Sequence, residues 1–139
     1  MIKENQRLIR ARETDDELTC IVCPIGCRMT MAPTADGEIE VSGNRCKRGV
    51  AYAREEVQDP RRVLTGTCAI SGADAARLPV RSSNGVPIDD LAPFLKSMYE
   101  LRLTAPVKRG TLIASDLGGT GINLIATMTA ELIAEETHE

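Results

Sequence analysis

The sequence is poor in aromatic residues and in histidine. Its 139 residues include no tryptophan, one phenylalanine, two tyrosines and one histidine. A core must therefore rely on Val, Ile, Leu and Met, which offer fewer large anchors than aromatic side chains do. The single histidine, His138, stands in an acidic segment where we expect it to be solvated, and no Ser or Cys has a recognisable general base. We therefore do not expect the chain to be a catalyst alone.

Long apolar runs and an excess of positive charge are also missing. No run approaches the roughly 18 apolar residues of a membrane span, and the N-terminal segment lacks the apolar core of a secretory signal. The net charge of −3 argues against a nucleic-acid-binding protein with a broadly basic surface. These absences predict a cytoplasmic protein with no nucleic-acid partner and no direct membrane insertion.

The order of apolar, charged and turn-forming residues predicts an α+β fold with two lobes. We expect a polar arm over 1–17, a four-cysteine β-hairpin lobe over 18–62, a small α+β lobe with one main helix over 63–130, and an acidic tail over 131–139. The predicted strands are 18–22, 28–32, 38–42, 62–70, 77–82, 107–116 and 122–127. The predicted helices are 50–57 and 89–103, the second capped by Asp89.

Two features that could carry chemistry have plainer structural explanations. Cys68 lies in a predicted strand, and free cysteine is among the most buried residue types, so we expect a small core residue. The run Gly118-Gly119-Thr120-Gly121 lacks both the further glycine of a dinucleotide motif and the Lys-Ser/Thr of a phosphate loop. We predict a hairpin turn there.

Four of the five cysteines form the pattern C-x2-C-x3-C-x18-C: Cys20, Cys23, Cys27 and Cys46. A reducing compartment and an odd number of cysteines argue against disulfides. Structural zinc usually takes two close pairs of ligands, whereas a triplet with a distant fourth thiolate suits a [4Fe–4S] cluster. The spacing favours the cluster, with a zinc-stabilised interaction module as the alternative.

Basic residues adjoin these cysteines, namely Arg28, Arg45, Lys47 and Arg48. A cluster with four thiolates is anionic, and its negative charge needs cations or hydrogen-bond donors nearby. The basic residues could instead form a docking patch for an acidic partner, but charge compensation is the interpretation that we favour.

The cysteine segment resembles the N-terminal iron–sulfur lobe of molybdopterin oxidoreductases such as formate dehydrogenase and periplasmic nitrate reductase. The resemblance covers about residues 18–65 and rests on Cys20, Cys23, Cys27, Asp36-Gly37, Ile39, Val41, Gly43, Cys46, Gly49 and Pro60 to Arg62. It implies that the four cysteines ligate a [4Fe–4S] cluster. Those enzymes continue into large pterin-binding domains that have no counterpart here, so a molybdenum site is not implied.

From Leu18 to Thr127 the sequence also resembles a small bacterial family with the pattern LTCIVCPxGC, GNRCKRGxxYAxxE, PxRVLT, LPV, APVKxGxxI and GTGxxxIAT. Members of that family are encoded beside FAD-dependent oxidoreductases of the glycerol-3-phosphate dehydrogenase type. The resemblance implies an electron-transfer accessory protein, or the redox subunit of an oxidoreductase complex, with a flavoprotein partner.

Overall fold

The computed structural model describes residues 17–134. The chain divides into two compact units, with the boundary between Pro60 and Arg61. The predicted arm, apart from Glu17, and residues 135–139 of the predicted tail lie outside the described residues. The mixture of strands and helices confirms the predicted α+β class. Within residues 17–134, no helix is long and apolar enough to cross a membrane.

The first unit is a three-stranded antiparallel sheet followed by a helix. Its strands occur in the order β1-β2-β3, and its elements are β1 (Glu17–Thr19), β2 (Arg28–Pro33), β3 (Ile39–Ser42) and α1 (Lys47–Gln58). In β2, Met29 and Met31 are buried while the residues between and around them are exposed. This period of two is expected of a strand with one face on a core. The pairing of β2 with β3 confirms the predicted hairpin.

The core of the first unit is small. Its buried residues are Cys20, Met29, Met31 and Ala53, and they are surrounded by partly buried residues of the sheet and of α1. Small domains bury a smaller share of their surface than larger ones do, and a metal or a partner commonly supplements such a core.

The second unit is built on a five-stranded sheet with the strand order β8-β5-β6-β10-β9. A two-stranded ribbon, β4 with β7, lies outside that sheet. The elements are β4 (Arg61–Arg62), β5 (Thr65–Ser71), β6 (Arg77–Ser82), β7 (Val86–Pro87), α2 (Leu91–Glu100), β8 (Arg102–Thr104), β9 (Leu112–Ala114) and β10 (Leu124–Ala126). β5 pairs with β8 in parallel, and the other pairs are antiparallel.

Helix α2 packs against β5 and supplies the largest core side chain. Phe94 and Met98 are fully buried on one face of the helix, together with Leu78, Val80 and other residues of the sheet. The helix approaches β5 so closely that a Cβ on Gly66 would contact the Met98 side chain at 2.5 Å. The second unit thus has a larger apolar core than the first, and the scarcity of aromatic residues is met by Leu, Val, Ile and Met as predicted.

Several predicted boundaries were wrong. Helix α2 ends at Glu100 rather than at residue 103, because Arg102–Thr104 leaves the helix to pair with β5. It begins at Leu91 after a short 3-10 turn, with Asp90 rather than Asp89 at the N-cap and no side-chain capping hydrogen bond. Helix α1 begins at Lys47, three residues earlier than predicted. The predicted strands 107–116 and 122–127 shrink to β9 and β10.

The glycine-rich run between β9 and β10 is a turn, as predicted. β9 and β10 pair in antiparallel fashion, and the connection contains a 3-10 turn over Leu117–Gly119. The backbone of Asp116 has a positive φ of 49°, and its carboxylate accepts a hydrogen bond from the N–H of Gly121. A short polar side chain tolerates this left-handed backbone because it bonds locally.

Gly43 controls the path of the chain from β3 into α1. Its φ is +84°, a value that disfavours any residue with a Cβ. A Cβ here would also overlap the carbonyl oxygen of Arg28 on the neighbouring strand β2. Gly37, in the β2–β3 turn, has nearly the same φ of +81°, yet a Cβ there would meet nothing within 4 Å.

We therefore expect Gly43→Ala to destabilise the first unit more than Gly37→Ala does. Both substitutions incur the cost of a left-handed backbone, about 1–2 kcal/mol. Gly43→Ala adds overpacking against the strand backbone, about 1–3 kcal/mol. Protection of the β2 and β3 amides against hydrogen exchange measures the effect within this unit. Equal losses in the two variants would contradict the steric role of Gly43.

Candidate metal centre

Three of the predicted ligands lie on the loop that joins β1 to β2. The loop begins and ends at a backbone hydrogen bond in which the N–H of Cys20 donates to the carbonyl oxygen of Cys27 at 2.9 Å. The last β1–β2 pair, Thr19 with Arg28, lies directly before this bond. Gly26, with a φ of +64°, makes the turn back into β2. The hairpin thus holds Cys20 and Cys27 at its neck and Cys23 within its turn.

The fourth predicted ligand, Cys46, lies at the N-cap of helix α1. Its backbone is extended, with φ −147° and ψ 165°, and the helix starts at the next residue. Two donors contact its carbonyl oxygen: the Asn44 side-chain amide at 3.1 Å and the N–H of Gly49 at 3.2 Å. These bonds, together with the turn at Gly43, fix where the Cys46 backbone enters the helix.

Gly49 brings the first turn of α1 against the cysteine hairpin. It is buried, and a Cβ in its place would lie 3.0 Å from the sulfur of Met29 and 3.8 Å from the sulfur of Cys20. The sulfur of Cys20 therefore lies beside the helix turn whose N-cap is Cys46. Gly49 is one of the residues on which the resemblance to the iron–sulfur lobe rests, and in the structure its missing side chain leaves room for the sulfur of Met29.

The thiol of Cys46 lies in an electropositive setting. Its pKa is lowered, first by hydrogen bonding to the backbone N–H of Gly49 and then by the side chain and backbone of Arg48. The Cys46 side chain makes no capping hydrogen bond at the helix start, so the lowered pKa reflects the nearby donors and positive charge and not a formed cap. A helix N-terminus carries partial positive charge and favours an anion such as a thiolate.

Arg48 is the residue that links the cysteines electrostatically. Its pKa is raised, first by hydrogen bonding to the side chain of Cys46, then by the charges of Cys46, Cys23 and, more weakly, Cys20. One guanidinium thus lies within electrostatic range of three of the four predicted ligands. Among the four basic residues named from the sequence, Arg48 is the one whose coupling to several cysteines is resolved.

The donor set fits a thiolate-bound centre in its chemistry, although the sulfurs are not preassembled. All four residues are free cysteines; Cys20 is buried, Cys23 and Cys27 are half-buried and Cys46 is exposed. Over residues 17–134, no three His, Cys, Asp or Glu side chains are grouped closely enough to hold a metal ion. Metal binding and local folding are commonly coupled at such sites, so the sulfurs would converge as the metal enters.

Cys68 has the structural role that its sequence context predicts. It is fully buried in β5 of the second unit, and its Sγ donates to the carbonyl oxygen of Met98 at 3.4 Å. Burial raises the pKa of this thiol, because an apolar site disfavours the thiolate. The fifth cysteine therefore pins β5 to α2 and lies in a different unit from the other four.

These surroundings predict that the metal-free protein is alkylated at Cys46 well before Cys68. The thiolate is the reactive form, so the lowered pKa of Cys46 moves its pH–rate profile below that of an ordinary thiol. Arg48→Gln should move the pH–rate profile of Cys46 only part of the way back towards that of an ordinary thiol. The shift is partial because the Gly49 N–H, the first cause of the lowered pKa, remains in the variant. Lys47→Gln is the matched control and should leave it in place. Iodoacetamide modification followed by mass spectrometry gives the rates, and identical profiles for the two variants would contradict the assigned role of Arg48.

Comparison with known proteins identifies a protein family and a similar solved structure. No curated protein matches the chain. An NMR structure of a Clostridium perfringens protein, a structural-genomics target, is 21% identical, covers 57% of this chain and 94% of its own, and has a TM-score of 0.49. The family model described as "Protein of unknown function (DUF1667)" matches residues 47–128, a segment that starts directly after the last of the four cysteines. Because that match spans more than half of the 139 residues, the chain belongs to the DUF1667 family.

Proposed function

We propose that the protein is an electron-transfer accessory subunit that carries one [4Fe–4S] cluster on Cys20, Cys23, Cys27 and Cys46. The observation that supports this most directly is the coupling of Arg48 to Cys20, Cys23 and Cys46 at the N-terminus of α1. A cation shared by several thiols at a helix start offers compensation for an anionic, thiolate-bound centre. When bound, the cluster would accept and release one electron at a time.

The residues around the cysteines would hold and tune such a centre. The helix start and Arg48 favour the thiolate form of Cys46 before any metal arrives. The hydrogen bond from the N–H of Cys20 to the carbonyl oxygen of Cys27 closes the loop that carries Cys23, so three of the four cysteines would lie on one short segment around the centre. Hydrogen bonds and charges near the sulfurs are among the factors that set the reduction potential of a cluster, which gives Arg48 a second role.

The small core of the first unit also supports a bound metal. Among residues 17–60, the core consists of four buried residues, two of them flexible methionines, which is a small amount of apolar packing. Binding free energy from four thiolate ligands would add directly to the stability of the unit. The proposal places the protein in the cytoplasm, where a reducing environment keeps the cysteines free for a metal.

The partner that we propose is a flavin-dependent oxidoreductase. The support is the resemblance to the bacterial CxxCPxGC family, whose members are encoded beside FAD-dependent oxidoreductases of the glycerol-3-phosphate dehydrogenase type. Electron transfer demands no proton-transfer residue of the carrier, which agrees with a sequence that has a single histidine. The chain would then act as a redox subunit, with the chemistry on substrate performed by the flavoprotein.

Anaerobic reconstitution with iron and sulfide tests the ligand set. We expect a brown protein with about four irons per chain, whose broad visible absorbance bleaches on reduction with dithionite. Cys46→Ser should lose most of the iron, because it removes the ligand that joins α1 to the hairpin. Cys68→Ala is the matched control and should keep it, since this thiol lies in the second unit.

Two outcomes would overturn parts of this proposal. A colourless protein with one zinc per chain would assign the four cysteines to a zinc-stabilised interaction module without redox activity. Iron retained at the parent level in Cys46→Ser would remove Cys46 from the ligand set.

A further inference from the structure

The loop between the first three cysteines carries an exposed apolar patch. Ile21, Val22 and Ile25 expose 74%, 42% and 60% of their surface, although all three are aliphatic and lie within five residues of one another. Single exposed aliphatic residues are common, but a contiguous group beside a candidate functional centre marks a contact surface. We name this group the hairpin patch.

The charges next to the hairpin patch are of one sign. Between Leu18 and Met31 the only charged residue is Arg28, and between Gly43 and Arg54 every charged residue is basic. Arg28, Arg45, Lys47 and Arg48 are all exposed. Among the described residues, the acidic ones nearest in sequence are Glu17, at the start of β1, and Glu55 and Glu56, in the second half of α1.

Gly49, in the first turn of α1, lies against the hairpin, where a Cβ in its place would be 3.8 Å from the sulfur of Cys20, and Cys20 directly precedes Ile21; the basic helix start and the hairpin patch are therefore neighbours. An apolar centre with a charged rim is the usual anatomy of a specific protein interface. A rim of one sign selects a partner of the opposite sign and speeds encounter. Interfaces of electron-transfer proteins are small and transient, in keeping with three apolar side chains.

We propose that the hairpin patch and its basic rim are the docking surface for an acidic protein partner of electron transfer. This inference extends the proposed function, because an electron carrier needs to bring its centre close to its partner, and the patch lies within the cysteine loop itself. It assigns to Ile21, Val22 and Ile25 a role that core packing does not explain. It also gives Arg45 and Lys47 a role besides compensating the charge of the ligands.

A flavodoxin, a small and strongly acidic electron-transfer protein, is the probe, with basic cytochrome c as its counterpart. Surface plasmon resonance on the full chain should show binding of flavodoxin that weakens steeply with salt, and no binding of cytochrome c. Arg45→Glu should weaken flavodoxin binding about tenfold at low salt, and Ile25→Ser about threefold or more. The matched controls in the second unit, Arg109→Glu and Ile133→Ser, are also exposed and should stay within about twofold.

Three results would overturn the proposal: no flavodoxin binding at low salt, equal losses in the variants and their controls, or a dimer of the chain that Ile25→Ser dissociates. The dimer, detected by sedimentation, would assign the patch to a second copy instead. Iron analysis of every sample separates this inference from the proposed function. If the protein holds zinc and the variants still weaken flavodoxin binding as expected, the docking surface stands and the electron-transfer role falls. If the protein holds a full cluster and neither Arg45→Glu nor Ile25→Ser weakens binding, the electron-transfer role stands and the docking surface falls.

Discussion

The close approach of helix α1 to the β1–β2 hairpin is the constraint on which the candidate metal centre depends. A Cβ at position 49 would lie 3.0 Å from the sulfur of Met29 and 3.2 Å from the Cβ of Asn44, so glycine gives the first helical turn a close fit to the hairpin without displacing either side chain. That contact brings the N-cap residue Cys46 beside a loop from which it is separated by two strands in sequence. The same helix turn supplies the Gly49 N–H and Arg48, which favour the thiolate of Cys46. Packing and electrostatics therefore arise from one piece of backbone.

The two units meet their stability needs differently. The second unit buries a continuous cluster that includes Phe94, Met98 and Leu78, and it uses Cys68 as one more small core residue. Over residues 17–60 the first unit buries Cys20, two methionines and Ala53. A cysteine in a core buries less area than a leucine does, but it is a strong ligand once ionised. A core that includes Cys20 is therefore compatible with the metal site that we propose.

Much of the architecture could be predicted from local sequence patterns, and the errors have a common cause. The alternation of residues in β2 and β3 and the helical spacing of Phe94 and Met98 are properties of single segments. They could therefore be recognised in the sequence without knowledge of the tertiary structure. The short strands β7 and β8 were missed, and β4 was merged with β5 into the predicted strand 62–70, because their pairing partners are distant in sequence. Residues 101–103 fitted a helix because their pairing with β5 is not visible in the local pattern. In the candidate site, the spacing identified the four cysteines, and the loop and helix start hold them in adjacent elements. No sequence signal singled out Arg48 from Arg45 or Lys47, because its coupling to Cys23 and Cys20 depends on how α1 meets the hairpin.

The distribution of exposed groups in the first unit follows from the same geometry. The loop between β1 and β2 is closed at its neck by the Cys20–Cys27 hydrogen bond, and the first turn of α1 lies against Met29. Ile21 and Ile25 lie outside this contact, at the point where the proposed centre would be nearest to the surface. Exposed apolar surface raises the tendency to associate, and basic residues beside it favour partners with acidic surfaces. On the docking surface that we propose, the aliphatic side chains would supply the contact area and the basic residues would select the partner.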